Sequence, residues 1–330
     1  MWVFILRKLF YNIPVYIAAL LLMFVALRVN NPVYAYLGKQ PSPEQIQALT
    51  EQMGLDDPLP IQFAKFLGQV FTLNFSQQSW AKPGENVRDI ILEAIPPSLS
   101  ITVPALLLST AIGVCVALIS AFYRGRLPDR SLVILAVIGM SVSFLVYIIF
   151  GQFFGAFYPQ YLDLGVQPFA IEGYEPWIGI NSEGGFFARP DLWIHYCLLP
   201  VLISVIVSMG YDTRFYRAVM VEESGRDYIV TAVAKGASKQ KVMFVHMLKN
   251  AMIPVITRVM STLPFLITGS ILLEVFFNIP GMGRELISAI NSRDFPVIQA
   301  FVAVFAAFFI VTVILTDVLY ALVDPRVRLS

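Results

Sequence analysis

The chain has 330 residues, of which 57% are hydrophobic and only 14% charged, and its mean hydropathy is +0.72. A soluble domain of this length carries charge on about a quarter of its residues. That much apolar surface does not fit in one core, so lipid is its natural environment. The net charge of +1 says nothing about partners. Cys115 and Cys197 both sit in apolar runs. They are expected to be small buried hydrophobes rather than a disulfide.

A helix needs about 20 mostly apolar residues to cross the hydrocarbon. Stretches free of Asp, Glu, Lys and Arg at 9–27, 94–123, 131–162, 192–211 and 295–316 therefore predict five spans, the third crossing only in its first part. A sixth span, 251–277, holds Arg258 near one end and Glu274 near the other. Both are expected to snorkel toward an interface. Pro14, Pro104, Pro200 and Pro264 fall inside or near the starts of spans, where neighbouring groups can satisfy the freed carbonyls. The first span follows Arg7-Lys8 and lacks a small-x-small exit, so it reads as a retained anchor. The expectation is an all-α polytopic membrane protein with about six transmembrane helices.

Positive residues concentrate in cytoplasmic loops. Arg7 and Lys8 precede the first span, and Arg124, Arg126 and Arg130 follow the second. Arg214, Arg217, Arg226, Lys235, Lys239, Lys241 and Lys249 follow the fourth, and Arg326 and Arg328 close the tail. The other side holds fewer, spread over longer segments. Both termini are thus expected to be cytoplasmic. The organisation is then an anchor helix (1–30), a periplasmic segment (31–93) and a membrane core (94–330). The core carries a periplasmic loop at 157–191 and a cytoplasmic loop at 213–250.

In the segment 31–93, Ser42 is placed to cap a helix that continues through Ile46, Leu49 and Met53. A second amphipathic piece, 61–71, lies on the membrane surface or packs on the spans. The loop 157–191 contains Tyr158, Tyr161, Tyr174, Trp177, Phe186 and Phe187. They are expected as an interfacial aromatic belt, with a gating or docking surface as the alternative. Residues 278–283, Asn-Ile-Pro-Gly-Met-Gly, predict a tight turn. The loop 213–250 predicts two short helices with Gly236 in the turn between them. It reads as a structural elbow or as a docking peg.

No phosphate-binding glycine loop ending in Gly-Lys-Ser/Thr is present, and the two histidines, His195 and His246, lie in different segments. Neither a histidine relay nor a His-rich metal site is expected, and no catalytic set is visible. No carboxylate is clearly central in a span, which argues against a secondary transporter.

Residues 227–236, Asp-Tyr-Ile-Val-Thr-Ala-Val-Ala-Lys-Gly, precede His246-Met247-Leu248-Lys249-Asn250-Ala251-Met252-Ile253-Pro254. Together they resemble the EAA loop of binding-protein-dependent ABC permeases. They look most like the oligopeptide and dipeptide branch (OppB/DppB type). Val230 stands where the general pattern has Glu, Thr231 replaces the first Ala, His246 the Ile and Lys249 the Pro. Residues 5–14, 51–60, 280–283, 293–296 and 317–326 also look like this family, so the resemblance covers nearly the whole chain. The loop 157–191 is longer than the family leads one to expect.

The resemblance implies a permease working with a second, homologous permease, two cytoplasmic ATPases and an external solute-binding protein. It implies peptide transport, with a nickel or metal-chelate importer of the same branch as the alternative; a secondary transporter, of another class, stands as a further rival apart from the resemblance. No cofactor is implied in this chain; ATP and Mg would sit on the ATPases. The residues implied for ATPase coupling are Asp227, Tyr228, Thr231, Ala232, Ala234, Lys235, Gly236, His246, Leu248 and Asn250. Ser261, Thr262, Thr268 and Ser270 are expected as helix-packing hydroxyls or as part of the substrate path.

Overall fold

The computed structural model describes residues 2–28, 33, 42–52, 55–162, 168–177 and 189–323. Phe186, Phe187, Met53 and the basic tail at 326–328 lie outside the described residues. The helices are α1 (Trp2–Arg28), α2 (Pro43–Gln52), α3 (Leu59–Phe71), α4 (Val87–Phe122), α5 (Leu127–Ser141) and α6 (Phe144–Gln152). They continue with α7 (Pro190–Glu223), α8 (Asp227–Ala234), α9 (Leu248–Phe276), α10 (Met282–Ser292) and α11 (Phe295–Val323). A π turn (Phe153–Phe157) extends α6 into Tyr158–Tyr161, and a second π turn (Val242–Met247) leads from Lys239–Lys241 into α9. Among the described residues, five helices are long and apolar enough to cross a membrane, or up to six if the bent pair α5–α6 is one span. The all-helical expectation of about six spans agrees with this.

The chain divides into two compact units, residues 1–95 with 281–314 and residues 96–280 with 315–330. In the first unit, Leu20 and Phe24 of α1 meet Phe66 and Val70 of α3, Ile90 and Ile91 at the start of α4, and Ile298 and Phe301 of α11. The amphipathic piece packs on the spans: Phe24 lies 5.3 Å from Phe63 and 6.2 Å from Phe66 between ring centroids. Its buried positions, Gln62, Phe66 and Val70, recur every four residues and so share one face. Buried Gln62 donates to the carbonyls of Leu55 and Asp57 at 3.0 and 2.7 Å.

Ser42 does cap α2. Its hydroxyl accepts from the Gln45 amide at 3.2 Å, and Gln45 Oε1 accepts from the Ser42 amide at 3.0 Å, a reciprocal capping box. Beyond the turn at Asn278–Gly281 the chain forms α10, which the sequence reading did not anticipate. That helix ends at Arg293, whose φ of 57° is left-handed, and the buried Asp294 follows. Its carboxylate accepts from the Ser79 hydroxyl and from the amides of Trp80 and Ala81 at 3.2 and 3.1 Å. It also sits at the N-terminus of α11, where a carboxylate is favoured.

The second unit holds α5 to α9 and most of α4. Proline at 104 cannot supply the N–H that the carbonyl of Ser100 would accept from in an unbroken helix. The indole N–H of Trp193, on α7, donates to that carbonyl at 2.9 Å. The expected third span is broken: α5 and α6 meet at 93°. Val142 and Ser143 take extended ψ values of 135° and 142° there. The freed carbonyls at the end of α5 find donors in tyrosines. Tyr147 donates to Gly139 at 2.8 Å and Tyr211 to Met140 at 3.4 Å. At Gly210 a Cβ would lie 3.0 Å from the Ala136 carbonyl and the Met140 nitrogen, so glycine lets α7 close on the α5 backbone.

Three expectations are corrected in this unit. Glu274 does not snorkel: it is fully buried and accepts from the Ser98 hydroxyl at 2.7 Å. Arg258 turns instead to Asp212, its Nε lying 3.1 Å from Oδ1. A paired charge inside the protein replaces one reaching for water. Cys115 is exposed, and only Cys197 is buried, because a span in lipid turns one apolar face outward. Tyr174 and Trp177 are not an outward belt. Tyr174 packs on the core of this unit, Trp177 lies against Trp193 at 6.1 Å, and the Gly173 amide donates to the Phe277 carbonyl at 2.8 Å. Burial pushes the Tyr174 phenol up to about 12.

Replacing Trp193 with Phe should keep an aromatic ring, though a smaller one, and leave the Ser100 carbonyl without its donor. The expected cost is about 1–3 kcal/mol, read as a lower midpoint of thermal unfolding in detergent. In a Pro104→Ala background, residue 104 supplies the missing N–H, and the same substitution should cost distinctly less. Equal losses in both backgrounds would exclude this account.

Candidate functional site

The connection between α7 and α9 is shorter than the sequence suggested. Residues 213–223 continue α7, and the second of the two expected short helices is the lead-in to α9. What stands free is α8, eight residues long. Arg226 is extended at its N-cap, and Asp227 in the first turn complements the helix dipole. At the other end the Gly236 amide donates to the Val233 carbonyl at 2.9 Å and the Ala237 amide to the Ala232 carbonyl at 3.1 Å. This is the Schellman closure, and it needs the φ of +80° found at Gly236. Ser238 then caps the next turn, accepting from the Lys241 amide.

The two faces of α8 differ. Ile229 is buried with Met220 of α7, Ala117 and Leu118 of α4, and Val242, Met243 and Met247 of the π turn. Tyr228, Ala232 and Leu248 pack against this cluster. The π turn sets which side chains of the lead-in face inward. Val242 and Met243 are buried, whereas Val245, apolar at regular helical spacing, is 52% exposed. On the other face Asp227, Val230, Thr231, Val233, Ala234, Lys235 and Gly236 are exposed, Val230 by 64% and Val233 by 57%.

A polar clasp fixes the angle of α8. The Tyr228 hydroxyl donates to Glu223, interacts with Asn250, and Asn250 Nδ2 donates to the His246 carbonyl at 3.1 Å. Burial, and then the Glu223 carboxylate, pushes the Tyr228 phenol above its ordinary range. Of the ten residues singled out from the sequence, Tyr228, Ala232, Leu248 and Asn250 thus hold α8 in place, while His246 contributes only its carbonyl, to Asn250 one turn on. Asp227, Thr231, Ala234, Lys235 and Gly236 lie on its free side. Val230 and Val233 were read as part of the motif but not singled out, and Glu223 was not anticipated. Glu223 precedes the motif, and an exposed valine is told from a buried one only by the neighbours it lacks.

The helices beneath α8 are tied by a buried carboxylate that the sequence did not reveal. Asp129, 3% exposed, receives Arg217 Nε at 2.7 Å and Nη2 at 2.8 Å, the Gly125 amide at 2.8 Å and the Ser120 hydroxyl. One aspartate thereby joins α4, α5 and α7 through a two-pronged guanidinium contact. The available signal was an acidic residue among Arg124, Arg126 and Arg130, which pattern alone cannot separate from a solvated loop charge.

Around Gly236 there is nothing within 4 Å of an added Cβ, so the backbone angle is the only constraint. Gly236→Asn should be tolerated, because asparagine enters the left-handed region readily. Gly236→Val should fray the Schellman closure, at a cost of about 1–2 kcal/mol. Limited proteolysis between residues 234 and 239 should accelerate in the valine variant only; matched cleavage rates would contradict the assignment.

Comparison with known proteins fits this arrangement. Residues 113–329 match the family described as the binding-protein-dependent transport system inner membrane component, and residues 1–102 match its N-terminal counterpart. The chain is 34% identical over 332 residues to a putative peptide permease of Brucella ovis, with 98% of each chain covered. It is 32% identical over 328 residues to the glutathione transport system permease protein GsiC of Salmonella paratyphi A, again with 98% of each covered. It is 34% identical over 289 residues to the dipeptide transport system permease protein DppB of Lactococcus lactis, with 87% of each covered. The chain therefore belongs to the binding-protein-dependent transport family, as an inner-membrane permease component.

Proposed function

We propose that this chain is one permease subunit of an ATP-driven importer of peptides. The observation that carries the substrate class is the set of relatives covering nearly the whole chain, named for peptides, for a dipeptide and for the tripeptide glutathione. In this reading the chain lines the path together with a second, homologous permease. An external solute-binding protein delivers the peptide. Two cytoplasmic ATPases, carrying ATP and Mg, supply the energy. Both termini and the segment containing α8 face the cytoplasm, and residues 31–93 and 157–191 face outward.

The part assigned to coupling is the free face of α8. Its exposed valines give an apolar contact, and Asp227 and Lys235 give charges at its margin. Because α8 is clasped by Tyr228, Glu223 and Asn250, a push on it is passed to α7 and α9 as rigid-body motion. A loose loop would absorb the same push. The π turn at the head of α9 is a further place where helix register can shift.

The test is what co-purifies and what is carried. Mild extraction should recover this chain with a second permease and two ATPases. Proteoliposomes made from that complex should take up a short peptide only with ATP and the loaded binding protein. Uptake of a nickel chelate in place of peptides, or uptake without ATP, would overturn the reading. The double variant Val230→Asp with Val233→Asp should remain inserted, since neither side chain is buried, yet lose most of its bound ATPase. Unchanged ATPase recovery would remove α8 from the coupling role.

A further inference from the structure

A cleft of about 230 Å³ lies inside the second unit, bordered by α4, the start of α6, α7 and α9. Its walls are mainly carbon, from residues such as Ile101, Phe144 and Leu273. Six hydroxyl residues also line it: Thr102 and Ser109 on α4, Ser204 and Ser208 on α7, and Thr262 and Ser270 on α9. Among the described residues, those that line it include no Asp, Glu, Lys, Arg or His.

The charges nearest along the same helix faces are turned on each other. Asp212 lies one turn beyond Ser208 on α7, about 6 Å along the axis, and Arg258 one turn from Thr262 on α9. The two form an ion pair at 3.1 Å, so neither offers an open charge to the cleft.

Five of these six hydroxyls divide into two kinds. Thr102, Ser109 and Thr262 donate their own O–H to the carbonyls of Ser98, Leu106 and Val259 at 2.8, 3.1 and 2.8 Å. Their oxygens keep lone pairs that can accept. Ser204 and Ser208 have no hydrogen-bond partner among the described residues, so each keeps both a donor and an acceptor. They stand four residues apart on one face of α7.

A small, uncharged, hydroxyl-edged cleft suits a ligand segment with both N–H and C=O groups and no net charge. The volume is below the roughly 300–1,000 Å³ that enclose a drug-sized ligand, so it takes a segment rather than a whole molecule. We infer that this cleft is a passage subsite for the peptide main chain, in which Ser204 and Ser208 hydrogen-bond to backbone amides. Its described lining offers no group to hold a charged terminus. Carbon walls and hydroxyls select neither acidic nor basic side chains, so peptides of different sequence pass alike. This inference rests on the peptide reading above.

The experiment uses the complete reconstituted complex with its binding protein. Two probes are compared, trialanine and trialanine methylated at the amide nitrogen of its middle residue, each shown separately to saturate the binding protein. In the Ser204→Ala, Ser208→Ala double variant, trialanine uptake should fall about five- to 150-fold, the factor for losing two ordinary hydrogen bonds. The methylated probe, which lacks the middle residue's N–H, should lose distinctly less between wild type and variant. ATPase stimulation by the loaded binding protein should stay at the wild-type level, which reports that the variant is folded and coupled. Thr at both positions should restore trialanine uptake. An undiminished trialanine rate, or equal losses for the two probes, overturns the subsite. If the wild-type complex carries no peptide at all, the functional reading itself has failed, and that result is distinct from either.

Discussion

In the hydrocarbon of a bilayer no water takes up a stray carbonyl, so each one that the chain frees must find a donor within the protein. Three such places set the form of the second unit. Pro104 frees the Ser100 carbonyl, and the Trp193 indole takes it. The break between α5 and α6 frees carbonyls of Gly139 and Met140, and the hydroxyls of Tyr147 and Tyr211 take them. In each case the donor comes from another turn or another helix. Satisfying the backbone therefore also fixes how α4, α5, α6 and α7 pack.

The same constraint governs charge. Asp129, Asp212 and Glu274 are each buried, and each is met by a hydrogen-bond donor within the unit. Breaking the Asp129–Arg217 or Asp212–Arg258 pair would leave an uncompensated charge at a cost of several kcal/mol. Retaining them costs desolvation, so they are better read as fixing geometry than as adding net stability. Asp129 holds three helices in register directly beneath the segment that carries α8.

That firmness matters at α8. A Schellman closure ends it, a serine cap begins the next turn, and a tyrosine clasp ties it to the two long helices on either side. Its inner face belongs to the core of the second unit, and its outer face is exposed among the described residues. Local stiffness and an exposed apolar face on one short helix suit the coupling role proposed for it. Farther along α7 and α9, the Asp212–Arg258 pair separates this end of the helices from the hydroxyl-edged cleft.

The amino-acid sequence by itself determined what depends on composition and local pattern. Span number follows from unbroken apolar length. The Ser42 cap follows from Ser-x-x-Gln spacing, and the left-handed turn follows from Gly236 at the end of α8. The family was legible in the motif around residues 227–254. Tertiary structure decided what depends on neighbours distant in the chain. Arg258 and Glu274 were expected to reach for an interface because pattern cannot show that Asp212 and Ser98 wait for them 46 and 176 residues away. The α5–α6 bend carries no proline or glycine at Val142-Ser143, so no local breaker announced it; tyrosines elsewhere make it tolerable. Which valines of α8 are free, and which hydroxyls meet at one cleft, were settled only when helices far apart in sequence closed around them. Local signals arise from a residue and its near neighbours along the chain, whereas pairing and exposure arise from the whole folded set.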